Sequence, residues 1–298
     1  MTLVAAPAEA AGGAPRVMVV VAHPDDESFG CGSLLLHAAS AGATTAVVCA
    51  TRGEAGQITE GCGATQATLP QVRENELRTA AGLLGVSTVQ LLDYTDSGMS
   101  GDAGPATLVG APFEQVRDQV CAVIGAFGPD IVITLDASDG HRDHARIRDA
   151  TLAAIPLAAA GDHRHTTQRV YLHCLPQALM KRWLHHMAQQ QTGSGHLDID
   201  VPGTPEDQIT TIIDTTHLLA QRELAMAAHA SQTSPYEGLP TDLRAAFLTT
   251  DQLHRITPAW TGGDRETDIF TTRRGAPLSR SLTTHVQPQG PPRRSERP

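Results

Sequence analysis

Two short segments hold most of the residues able to do chemistry. HPDDE, His23 to Glu27, follows the aliphatic run VMVVVA, and DASDGHRDH, Asp136 to His144, follows IVITL. Two histidines and an aspartate suit Zn²⁺ or Fe²⁺, and three protein ligands leave positions open for water and substrate. His23, Asp26 and His144 make such a set if the two segments meet. Asp25, next to a ligand but facing differently, is then a candidate general base, because a metal acidifies water and a nearby carboxylate takes the proton. His141, one turn from His144, suits either stabilisation of an oxyanion or protonation of a leaving amine. Asp143 suits the part of an acceptor that orients a histidine. Each segment alone has a plainer reading. HPDD is a common helix cap with an early proline, and an HxxH pair is often a surface coincidence. What favours a site is that both lie at the exits of buried strands.

Those strands belong to a repeating pattern. Aliphatic runs at 17–22, 45–50, 88–92 and 131–135 alternate with amphipathic stretches at 28–41, 70–84, 112–127 and 145–160. Continuous aliphatic strands alternating with helices predict an α/β fold: a Rossmann-like, mostly parallel sheet with helices on both faces. Such sheets bind ligands beyond the carboxyl ends of their strands, so the loops after all four strands point towards one crevice. The loops at 51–69 and 93–112 are long enough to suggest a functional role. The expected organisation is a flexible start at 1–15, a catalytic core at 16–175, a smaller helical cap region at 176–282 packed on that core, and a disordered Pro/Arg-rich tail at 283–298. The second half reads less regularly, with a strand at 169–174, helices at 176–190 and 215–230, and a polar connection at 191–200.

Composition narrows the function. A net charge of −10 argues against nucleic acid as a partner and, more weakly, against an anionic membrane surface. No run of about 18 apolar residues suggests a membrane span. The N-terminus lacks a basic region of the signal-peptide kind, and the five scattered cysteines argue for a reducing cytoplasm rather than a disulfide framework. Neither GxSxG nor GxGxxG is present where a serine hydrolase or a dinucleotide enzyme would need it. The expected partner is a small molecule, and a homo-oligomer is compatible with the sequence. His163 and His165 read as a solvated loop, and His229, in AHASQ, as a cap at a helix end.

AHPDDES together with GHRDH resembles the PIG-L/LmbE family of metal-dependent N-deacetylases over about residues 16–160. The resemblance implies a Rossmann-like fold, removal of acetyl from N-acetylglucosaminyl compounds and related amides, and one divalent metal, zinc before Fe(II). It implies His23, Asp26 and His144 as ligands, Asp25 as base, and His141 as the electrophilic or acid group. TRGEAGQ, VRENELRTAAGLLGV, DYTDSGM and AMAAHASQ further resemble the mycothiol-pathway deacetylase and amidase group. That likeness implies sugar contacts at Arg73 and Asp96, and at Glu54. The group carries a tyrosine shortly before GHxDH, where this chain has Asp139; Tyr94 and Tyr236 are candidates to replace it. Two alternatives stand beside deacetylation: amide cleavage in a larger thiol-sugar or antibiotic conjugate, and a non-catalytic sugar- or metal-binding protein on the same fold. Metal-dependent turnover separates the last from the others.

Overall fold

Strand β1 (Arg16–Val21) is buried from Val17 onward, with its side chains alternating between two cores. The computed structural model describes residues 13–161, 165–190 and 202–270. Of the expectations above, residues 1–12, His163, the connection at 191–200 and the tail at 283–298 lie outside the described residues. Val17, Val19 and Val21 pack with α2 (Gly32–Ser40) and α3 (Leu69–Leu83). Met18 and Val20 pack on the opposite face with α4 (Phe113–Phe127) and α5 (Arg142–Ala160). Burial on both faces is why the strands read as continuous aliphatic runs, each buried aliphatic side chain contributing about 1.5–3 kcal/mol.

Among the described residues one sheet runs in the order β3-β2-β1-β4-β5-β7-β6. β2 (Thr44–Thr51), β3 (Thr88–Tyr94), β4 (Ile131–Leu135) and β5 (Arg169–Cys174) join β1 in a parallel set. Strand order reverses between β1 and β4, which pair directly from Val17↔Ile131 to Val20↔Thr134. The crevice of a doubly wound sheet opens at such a switch point, and the two chemistry-bearing segments leave these two strands.

The second half adds to the same sheet. β7 (Thr250–Thr257) pairs antiparallel with β5, and β6 (Thr211–Asp214) with β7. α6 (Gln177–Gln190), α7 (Leu219–Ala227) and α8 (Thr241–Leu248) share an apolar cluster with Phe29, Met180, Tyr236 and Phe247 among its members. No helix of the described residues is long and apolar enough to cross a membrane.

Three helix expectations need correcting. The helix expected at 28–41 is two helices, α1 (Asp26–Phe29) and α2, broken at Gly30 and Cys31. Arg222, buried in α7, donates to the carbonyls of Ser28, Phe29 and Gly30, which the break takes out of the helical ladder. The helix expected from 145 starts at Arg142, because the His141 side chain caps it by accepting from Asp143 N–H. The helix expected at 215–230 ends at Ala227, leaving His229 in a loop rather than at a helix end.

Candidate active site

The segment after β1 turns sharply. Asp26 Oδ2 accepts from the amides of His23 (2.8 Å) and Ala22 (3.1 Å), which pulls the chain back over the strand end. Asp25 takes φ 130, a conformation that L residues rarely adopt and that costs about 1–3 kcal/mol. The turn separates the neighbouring carboxylates. Asp26 Oδ1 faces His144 Nε2 at 3.3 Å, whereas Asp25 Oδ2 accepts from Arg73 Nη2 at 2.9 Å.

His23 sits among three carboxylates. Its Nε2 lies 3.2 Å from Asp143 Oδ2 and 3.6 Å from Asp96 Oδ1, and its Nδ1 lies 3.7 Å from Asp26 Oδ2. A proton on Nε2, shared with Asp143, leaves the Nδ1 lone pair facing Asp26. His144 has the complementary arrangement: Nδ1 lies 2.6 Å from Asp139 Oδ2, while its buried Nε2 has no hydrogen-bond partner. An orphaned buried ring nitrogen beside a carboxylate oxygen, with a second imidazole across from it, is a donor set that fits a small divalent cation. Ring nitrogens of His23, His141 and His144 also lie within 4.8 Å of one another, as do ligand atoms of His23, Asp96 and Asp143.

The carboxylates around His23 and His144 favour the protonated rings, so a cation would bind there in exchange for protons. Burial lowers the basicity of His23, but Asp143, Asp96 and Asp26 outweigh it and raise its pKa to about 9. Burial also opposes the charge on Asp26, yet His144 and His23 hold its carboxyl far below the usual range. Asp25 behaves differently: burial pushes it up to about 6, against the pull of Arg73. One carboxylate is thus held ionised and its neighbour is poised to exchange a proton near neutrality.

His141 is only partly buried, and burial lowers its pKa, with His23 and His144 adding to the effect. Because Nδ1 accepts the amide proton of Asp143 (3.1 Å), a neutral His141 carries its own proton on Nε2, where it can be donated. Asp143 is fully buried and accepts from Ser97 N–H (2.9 Å) as well as meeting His23.

The three residues tied to sugar contacts are placed differently. Asp96 lines the cleft, with Oδ1 accepting from Gly98 N–H at 2.7 Å. Glu54 turns away from it and accepts from Asp96 N–H (2.9 Å), holding that loop. Arg73 borders the cleft but is 2% exposed and engaged by Asp25, Gly53 O and Pro24 O. A side chain at Gly53 (φ +66) would collide with this guanidinium, so the glycine of TRGEAGQ makes room for Arg73. The sequence held a clue to Arg73: it stands four residues from both Leu69 and Leu77, on the buried stripe of α3.

Sequence reasoning missed other participants. Asp139 is the acceptor that fixes the His144 ring, and it also accepts His141 N–H at 3.0 Å. Asp139→Asn is therefore expected to weaken metal binding by about 10- to 100-fold while the fold persists, as calorimetric titration with Zn²⁺ would show. Neither candidate tyrosine fills the place of the tyrosine expected before GHxDH. Tyr94 is buried in a core outside the cleft, and the Tyr236 hydroxyl is committed to Phe29 O at 2.8 Å. His229 is buried against Glu27 at 2.6 Å. The cleft measures about 600 Å³; its far wall, including Met180, Trp183, Tyr236 and Phe247, comes from the second half of the chain.

Comparison with known proteins gives three findings. Residues 18–155 match the family described as PIG-L, GlcNAc-PI de-N-acetylase. The chain is 31% identical to a 1D-myo-inositol 2-acetamido-2-deoxy-alpha-D-glucopyranoside deacetylase of Kineococcus radiotolerans, over 86% of this chain and 82% of that protein. Among solved structures it resembles the N,N'-diacetylchitobiose deacetylase of Pyrococcus horikoshii (TM-score 0.56, 18% identity, 82% of this chain and 87% of that one). It also resembles a 4-carboxy-2-hydroxymuconate hydratase of Pseudomonas putida (TM-score 0.55, 17% identity, 84% and 99%). These last two likenesses speak for the fold alone, since a hydratase and a deacetylase share it.

Proposed function

The chain belongs to the PIG-L family, and from that premise we propose that it is a metal-dependent N-deacetylase of an N-acetylglucosaminyl small molecule. The observation that carries the reading is the division of labour within HPDDE. Asp26 faces the orphaned Nε2 of His144, and Asp25 faces away with a raised pKa. A non-catalytic binding protein would have no use for the second feature.

His23, Asp26 and His144 would hold the ion, Zn²⁺ before Fe²⁺, with Asp143 and Asp139 fixing the two rings. Bound there, the ion supplies Lewis-acid polarisation of the scissile carbonyl and acidification of water. Asp25 takes the proton of the attacking water at the carboxylate oxygen opposite the one held by Arg73. His141 donates from Nε2 to the developing oxyanion, a task for which its lowered basicity suits it. The proton at Asp25 then passes to the departing nitrogen, and amide plus water gives acetate plus the protonated amine. Asp96 lies across His23 from Asp26, where its carboxylate can accept sugar hydroxyls.

The test is a panel of N-acetylglucosamine, N,N'-diacetylchitobiose and 1D-myo-inositol 2-acetamido-2-deoxy-α-D-glucopyranoside, assayed for released acetate with Zn²⁺-loaded protein. Turnover of at least one is expected, with loss on chelation and recovery on adding Zn²⁺ back. Release of a larger acid from a thiol-sugar conjugate, with no acetate from the panel, would move the reading to an amidase.

A further inference from the structure

We propose that Glu27 and His229 are positioning residues, forming a buried strut that holds Asp25 in its strained backbone posture. The inference rests on the reading of Asp25 as the base. Asp25 is restrained twice. Its side chain is held by Arg73, and its backbone N–H donates to Glu27 Oε2 at 2.9 Å. The second restraint fixes the peptide at φ 130, and with it the direction in which the carboxylate leaves the chain. A strained residue persists only where its surroundings over-determine it.

Glu27 can do this only if it is itself immobile. It is fully buried, and its other oxygen accepts from Ser28 Oγ at 2.6 Å and faces His229 Nε2 at 2.6 Å. His229 lies 202 positions further along the chain, in the loop after α7. That loop is pinned on both sides. Upstream, Arg222 of α7 binds the carbonyls of residues 28–30. Downstream, Ser231 donates through N–H (2.8 Å) and Oγ (2.6 Å) to Glu76 of α3 and accepts from Thr59 N–H (2.9 Å). The Phe29 ring packs edge-on against His229, with centroids 5.8 Å apart. His229 therefore cannot swing away, and Glu27 has no other place to go. The strut explains why the second half of the chain, which gives no ligand to the proposed metal set, bears on the first.

Three variants test it, measured with the best substrate of the panel above for kcat and KM, with metal content per chain and crystal structures alongside. Glu27→Met nearly keeps the volume and removes both acceptor oxygens, so the Asp25 amide and His229 each lose their partner. His229→Leu removes the imidazole, and His229→Gln can place an amide nitrogen near the Nε2 position. For Glu27→Met and His229→Leu the expected result is a kcat about 10- to 100-fold lower, with one metal per chain retained. KM should stay within about twofold, because substrate binding is untouched, and His229→Gln should return to within about fivefold of the parent kcat. The crystal structure of Glu27→Met should show Asp25 φ relaxed to a negative value. Full kcat in Glu27→Met, an unchanged φ there, or His229→Gln no better than His229→Leu would overturn the strut. If one of Glu27→Met and His229→Leu does not fold, the other decides. A fully active Asp25→Asn overturns the reading of the base instead, and the φ measurement still judges the strut without any activity.

Discussion

Asp25→Asn should lower kcat by about 100- to 10,000-fold, the usual worth of a positioned general base, while leaving one metal per chain. The substitution is nearly isosteric and separates the proton-transfer role from everything else Asp25 does. Asparagine has nearly the shape of aspartate and meets the same backbone contacts, so the turn at φ 130 can survive. Its amide oxygen can still accept from Arg73 Nη2, which now lies 2.9 Å from Asp25 Oδ2. What it cannot do is take a proton from water near neutral pH. A pKa raised by burial to about 6 belongs to a group that is mostly ionised at pH 7, yet basic enough to accept a proton in the transition state. KM should change little, because the loss falls on a step after binding. Steady-state kinetics with metal analysis check it: full turnover with metal retained would remove Asp25 as the base, and loss of metal would make it a ligand instead.

The legibility of this site followed the range of the interactions that build it. β1 and β4 were readable because burial on both faces writes itself locally as aliphatic runs, and their chemistry sits in the few residues that follow. That the first four strands run parallel also followed from local pattern, since strand–helix alternation leaves few topologies. The misses are contacts between distant positions. Nothing near Gly30 says that the helix must break there, because the Arg222 that satisfies its carbonyls is almost two hundred residues away. His229 read as an end-cap because its partner, Glu27, is remote. Asp139 was measured against the tyrosine expected at its position, whereas its physical partner is His144, five residues on, across the start of α5. Arg73 shows another limit: a charged residue on a helix is usually solvated, and only the course of the 51–56 loop decides that this one is buried.

His144→Ala should abolish stoichiometric metal binding and lower turnover by at least about 1,000-fold, since both the cation's site and its chemistry depend on the third ligand. His144 is the best residue on which to test the metal set because a metal ligand and an ion-pair partner of Asp26 predict different outcomes for its removal. Its Nδ1 is taken by Asp139, and its Nε2 is buried without a hydrogen-bond partner while pointing at Asp26. Removing His144 leaves His23 and Asp26, too few donors to hold Zn²⁺ against water and buffer. The comparison with Asp139→Asn makes the prediction sharper. Asp139 touches only the far nitrogen, so its loss should tilt the ring and weaken binding by degrees, about 10- to 100-fold, which excess Zn²⁺ overcomes. Loss of His144 should not be overcome by any practical concentration. Titrating both variants with Zn²⁺ and following bound metal and acetate release together distinguishes the two. If His144→Ala binds one equivalent as tightly as the parent, the ion sits elsewhere, and the nearest other set is His23, Asp96 and Asp143.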